Sequence, residues 1–165
     1  CAHLTSWNRN TSVKFRTDVA SMCKLGFDIG LHDLTADELE YCKGAVKNWN
    51  RLKPVILDGN QYRLVSPYET NHMAVDYVSL DQKEAVLFAY DLHPRFQEKT
   101  VPVKLQGLNP AKTYRVEEIN LMSGQSSGYD FNGKAFSGDY LMKVGLPVFT
   151  AGEALSHVFE LNAVK

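Results

Sequence analysis

Met73-Ala74-Val75-Asp76-Tyr77-Val78-Ser79-Leu80 and Glu84-Ala85-Val86-Leu87-Phe88-Ala89-Tyr90-Asp91-Leu92 read as two strands joined by the polar turn Asp81-Gln82-Lys83. β-Branched and aromatic residues fill both runs, and the connection is short enough to close a hairpin. The same grammar governs everything after about residue 60. Tyr62-Arg63-Leu64-Val65 reads as a strand, as do Val101-Pro102-Val103-Lys104-Leu105 and Tyr114-Arg115-Val116-Glu117-Glu118-Ile119, which flank the turn region Gly107-Leu108-Asn109-Pro110. Further strands are expected over residues 139–144 and 156–161. Seven of the eleven glycines and five of the six prolines lie after residue 60, where turns between short strands need them. The pattern predicts an antiparallel sandwich or barrel for residues 60–165.

Ahead of the natural boundary at Asp58-Gly59-Asn60 the period is helical. Leu34-Thr35-Ala36-Asp37-Glu38-Leu39 carries a full helix-start signal, with Thr35 and Glu38 placed to cap each other's amides. Leu39, Cys42, Val46, Trp49 and Leu52 then recur every three or four residues, drawing one apolar stripe that ends before Pro54. A shorter helix is expected over residues 17–25, capped by Thr17 and ended by Gly26, followed by a short strand over residues 27–31. Helix, strand and capped helix in succession are the rhythm of a β/α unit, so the chain reads as α+β by content.

Composition excludes more than it selects. The 165 residues carry 18 Lys+Arg and 19 Asp+Glu, a net charge of −1, which gives no electrostatic case for nucleic acid or for an anionic membrane. No apolar run reaches the roughly 18 residues of a membrane span. Three cysteines form no disulfide framework and no C-x-x-C pair. The five histidines show no i, i+4 pairing, so no metal site is expected. There is no Gly-x-Ser-x-Gly and no phosphate-binding glycine loop. None of the 19 acids stands in a setting that implies a tuned pKa, Asp28 in mid-strand coming nearest. Asn10-Thr11-Ser12 is a glycosylation sequon by pattern alone. Trp7, in a polar opening segment, offers either a face for a sugar or a wedge against the fold. The chain begins at Cys1 rather than Met, which reads as a piece of something longer.

The sequence resembles the C-terminal end of α-galactosidases of glycoside hydrolase family 36, at four places in the same order. These are Ala2-His3-Leu4-Thr5 with Lys14-Phe15-Arg16-Thr17-Asp18-Val19-Ala20, and Leu25-Gly26-Phe27-Asp28-Ile29 with Leu34-Thr35-Ala36-Asp37-Glu38. Next come Gly59-Asn60-Gln61-Tyr62-Arg63-Leu64 with Ser66-Pro67-Tyr68-Glu69, then Glu84-Ala85-Val86-Leu87-Phe88. Last are Leu105-Gln106-Gly107-Leu108-Asn109-Pro110 and Tyr114-Arg115-Val116, with Ser137-Gly138-Asp139-Tyr140-Leu141-Met142-Lys143-Val144-Gly145-Leu146-Pro147. The resemblance implies that residues 1–57 are the last β/α elements of a (β/α)8 catalytic barrel, with residues 27–31 as its eighth strand. Residues 60–165 would be the all-β antiparallel sandwich domain that follows. A complete barrel takes roughly 250 residues.

It also implies retaining hydrolysis of terminal α-linked galactose by an Asp nucleophile and an Asp acid/base. Neither aspartate matches a residue here, and both are expected upstream of Cys1. No cofactor or metal is implied. Because barrel active sites sit at the carboxyl ends of strands, the loops after strands seven and eight would bring His3, Trp7, Arg9, His32 and Asp33 to the substrate mouth. The expected partners are the sugar in a full-length enzyme, the catalytic barrel itself and a further copy in a homo-oligomer. The alternative is a non-catalytic carbohydrate-binding or protein-interaction module. An incomplete barrel would also leave the stripe from Leu39 to Leu52 as an exposed apolar patch.

Overall fold

A computed structural model describes residues 11–164. Their frame is one six-stranded antiparallel sheet in the order β1-β2-β3-β6-β4-β5. The strands are β1 (Asn60–Val65), β2 (His72–Val78), β3 (Glu84–Asp91), β4 (Thr113–Ile119), β5 (Ala135–Ser137) and β6 (Leu155–Val164). The expected hairpin is β2–β3, in a register that runs from His72 opposite Asp91 to Val78 opposite Ala85. β6 returns from the far end of the chain to lie between β3 and β4.

The expected two-sheet sandwich is thus a single sheet with unlike covers on its two faces. One face carries Ala74, Ala85, Leu87, Ala89, Tyr114, Val116, Phe159 and Leu161 beneath a layer with little regular structure, built from Val103, Leu105, Leu108, Phe131, Leu146 and Val148. The segment at residues 101–105 lays a single bridge, Val103 to Leu146, across that face instead of adding a strand. Residues 139–144 are not a strand either. They belong to a short helix α3 (Gly138–Lys143), because the Ser137 hydroxyl accepts from the Tyr140 amide and starts a turn. Gly138 is required there, since a Cβ would collide with the Asn109 carbonyl.

The opposite face carries Val75, Tyr77, Val86, Phe88, Tyr90 and Val158, against which Leu52, Val55 and Ile56 of a long helix pack. β3 is consequently buried along nearly its whole length on both faces. The long helix, α2 (Ala36–Asp58), has the expected capping box, with both Thr35–Glu38 hydrogen bonds formed. It does not stop at Pro54. The missing N–H and the ring of Pro54 face solvent, while Val55 and Ile56 behind it are anchored on the sheet, and that burial outweighs the local cost.

The earlier helix α1 (Val13–Ser21) is capped by Ser12 and not by Thr17, which is buried in mid-helix. Residues 27–31 hold a single bridged residue at Asp28 and no strand, and pass into a 3₁₀ turn, Leu31–Asp33. A parallel strand needs neighbours, and none flanks that segment among the described residues. Asp28 is accordingly exposed. The stripe of α2 is rotated from its expected position. Tyr41, Cys42, Ala45, Leu52, Val55 and Ile56 are buried, Leu39 and Trp49 are half-buried, and Val46 is exposed. Most of that stripe therefore meets this chain's own sheet and α1. What stays open is a smaller groove of about 340 Å³ lined by Phe27, Ile29, Leu31, Leu34, Cys42 and Val46. No helix of the described residues is long and apolar enough to cross a membrane.

Candidate functional site

At one end of the sheet, on the face away from α2, four adjacent strands contribute a row of alternating bases and acids. His72 on β2 holds Asp91 on β3 through Nδ1, at 2.8 Å from Oδ1. His157 on β6 lies 4.0 Å from the other oxygen of Asp91 and places Nδ1 at 2.9 Å from Glu118 Oε1 on β4. Asp91 is wholly buried, and its Oδ2 also accepts from the Thr150 amide at 2.8 Å and from the Thr150 hydroxyl at 2.6 Å. Glu118 accepts from the Ser127 hydroxyl as well. Burial by itself would raise the Glu118 carboxyl, but the hydrogen bonds from His157 and Ser127 hold it below its ordinary value.

The Glu118–His157 end of the row opens into a cleft of about 430 Å³, whose other walls come from Lys14 and Glu38 and from Leu121, Met122 and Tyr129. Beside this cleft, on the helix face, Asp18 of α1 is a second hub. Its fully buried carboxylate accepts from Lys14 Nζ at 2.6 Å, Ser156 Oγ at 2.7 Å, Asn120 Nδ2 at 2.9 Å and Tyr41 OH at 3.2 Å. The Tyr90 hydroxyl donates to the Asp18 carbonyl at 2.9 Å. Desolvation and the neighbouring Asp18 charge keep the Tyr41 phenol neutral far above its usual range.

Chemically these acids are occupied. A retaining glycosidase needs two carboxyl groups facing one substrate, one of them protonated to act as an acid. Asp18 and Asp91 are sealed by donors on both oxygens, and Glu118 is held ionised. Asp76 on β2 is a carboxyl raised toward neutrality, pushed up to about 7 by burial despite a hydrogen bond from the Gln106 amide. It is fully buried and lines no cleft among those described. Among the described residues no group of three or more His, Cys, Asp or Glu is placed to hold a metal ion.

Of the residues expected at a sugar site, His3, Trp7 and Arg9 lie outside the described residues. His32 and Asp33 come together on the exposed 3₁₀ turn, His32 Nε2 lying 3.3 Å from Asp33 Oδ1, next to Leu31 at the rim of the apolar groove. They are not part of the polar row. Sequence reasoning missed that row because its members are scattered over four strands. One signal was present: Glu118 stands in the inward phase of an otherwise apolar alternation, Tyr114, Val116, Glu118.

Residues 72–161 match the glycosyl hydrolase family 36 C-terminal domain. The chain is 36% identical over 139 residues to probable alpha-galactosidase C of Aspergillus flavus, covering 84% of this chain and 17% of that protein. Against alpha-galactosidase 1 of Pediococcus pentosaceus the identity is 32% over 137 residues, covering 83% of this chain and 17% of the relative. The crystal structure of the GH36 alpha-galactosidase AgaB from Geobacillus stearothermophilus superimposes with a TM-score of 0.84 at 25% identity, over 99% of this chain and 21% of that one. The chain thus spans about a fifth of the length of the proteins it matches. By its sequence along β2 to β6, and by a fold shared from end to end, the chain belongs to glycosyl hydrolase family 36, in the family's C-terminal domain.

Proposed function

We infer that this chain serves as the C-terminal part of a retaining α-galactosidase, and that its own role is to brace a catalytic barrel without performing chemistry. The observation that carries the reading is the match of residues 72–161 to the family's C-terminal domain, joined to a likeness in fold that also takes in the helical first third. In this reading residues 1–57 close the barrel, residues 60–165 form the domain behind it, and the catalytic aspartates belong to the rest of the enzyme. The occupied state of Asp18, Asp91 and Glu118 supports it, since acids locked by buried hydrogen bonds position strands and do not exchange protons with a substrate. The apolar groove at Phe27, Leu31, Leu34 and Val46 is where the remaining barrel would seat.

His3, Trp7, Arg9, His32 and Asp33 are proposed as the rim of the sugar site in the whole enzyme. The direct test incubates the purified chain with a chromogenic α-galactoside, beside an intact family member as control. Release stays at the blank rate. Turnover by the chain would show a complete active site within it and overturn the reading.

A further inference from the structure

At the opposite end of the polar row, two turns each carry an aromatic ring that lines one open cleft. Residues 66–70 form one turn: the Glu69 and Thr70 amides both donate to the Ser66 carbonyl, and Tyr68 stands at its tip, 98% exposed. The turn from Arg95 to Glu98 is closed by the Glu98 amide on the Arg95 carbonyl at 3.0 Å, with Phe96 at its tip, 92% exposed. The two turns are tied together. Asn71 donates to both oxygens of Glu98 at 3.3 and 3.2 Å, and the Asn71 carbonyl accepts from the Leu92 and His93 amides. Glu98 Oε2 also accepts from the Arg95 amide at 2.7 Å, and the buried His72 backs it, with Nε2 at 3.8 Å. The rings are therefore presented by a braced frame and line one open cleft of about 600 Å³.

Single exposed aromatics are ordinary, but two in one cleft call for an occupant. Between the rings the lining is polar, with Glu69, Asn71, Arg95 and Glu98. The core of a protein interface is depleted of such acids and rich in apolar side chains, so this lining does not fit one. Planar amide, carboxylate and guanidinium groups each present two neighbouring hydrogen-bonding atoms, which suit adjacent hydroxyls on a ring. Among the described residues the side chains of Tyr68, Glu69 and Arg95 make no hydrogen bond, so that capacity is unspent. Two carboxylates against one guanidinium disfavour an anionic ligand. The cleft volume falls in the range of about 300–1,000 Å³ common to small-ligand sites. We propose that this cleft binds a neutral oligosaccharide, with Tyr68 and Phe96 as platforms for the apolar faces of pyranose rings and Glu69, Asn71 and Arg95 as partners for its hydroxyls. The proposal does not depend on the enzyme reading.

The test titrates the ¹⁵N-labelled chain with raffinose, maltotetraose and cellotetraose and follows its amide spectrum. At least one sugar produces saturable shifts centred on Tyr68, Glu69 and Phe96, with a Kd near or below about 1 mM. Tyr68→Ala and Phe96→Ala each weaken it roughly tenfold, a factor one aromatic contact can supply. Leu80→Ala, at another exposed apolar position, leaves it unchanged. Because both rings are almost wholly exposed, their removal leaves the melting temperature in place, which separates lost binding from lost folding. Absence of saturation up to roughly 10 mM for all three sugars overturns the proposal, as does binding that survives both ring deletions.

Discussion

Asp76 couples the stability of the fold to pH. Its carboxyl is buried in β2, one oxygen held by the Gln106 amide and the other without a partner, and burial raises it from 3.8 to about 7. A raised acid binds its proton more tightly in the folded chain than in the unfolded one. Folding is thus favoured by protonation, and stability falls as pH rises from about 4 to about 7, by at most about 4 kcal/mol. Asp76→Asn should melt above the wild type at pH 8 and converge on it near pH 4, as paired thermal scans would show. A constant difference across that range would rule out Asp76 as the source. Asp18 matters through its hydrogen bonds. Replacing it with Ala strands the hydroxyls of Ser156 and Tyr41 and the Asn120 amide in a buried site, and should cost about 3–5 kcal/mol in urea unfolding. Ser156→Ala removes one donor of four and should cost about 1–3 kcal/mol.

Among the elements, α2 shows both what the sequence makes legible and what it conceals. Its start was readable because a capping box is a local device, satisfied by Thr35 and Glu38 alone. Its end was not, because the force that carries the helix past Pro54 is the burial of Val55 and Ile56 on strands more than fifteen residues further along the chain. Pro54→Ala should therefore stabilise the chain by about 1–3 kcal/mol, since it restores an N–H and removes a ring clash at an exposed position. A loss of stability would mean that the proline fixes a kink the sheet requires. The same division holds elsewhere. The β2–β3 hairpin and β4 were legible from period and turn. Residues 139–144 were misread because Tyr140, Leu141 and Met142 give no clear period over six residues, and the Ser137 cap decides the matter. The polar row was invisible because its spacing exists only once β6 has been inserted between β3 and β4.

For the whole molecule, the two covers of the sheet explain how one chain can hold its shape and still leave an apolar groove open. Helices α1 and α2 seal one face and the irregular layer with α3 seals the other, so the core is complete on both sides. The groove at Phe27, Ile29, Leu31, Leu34 and Val46 is left over, between α2 and the segment that precedes it. Leu31→Asp should leave the folding stability of the isolated chain within about 1 kcal/mol of its starting value, since that side chain is 66% exposed. In an enzyme assembled around this chain the same change should impair activity. The measurement that reaches the central claim is a domain exchange. Residues 11–165 replace the matching fifth of the Geobacillus alpha-galactosidase AgaB, and hydrolysis of a chromogenic α-galactoside is followed beside unaltered AgaB. A folded chimera that releases galactose, and loses that activity with Leu31→Asp, is the predicted result. A chimera that folds cooperatively yet leaves the α-galactoside intact while unaltered AgaB cleaves it would contradict the assignment of this chain as the bracing C-terminal part of an α-galactosidase.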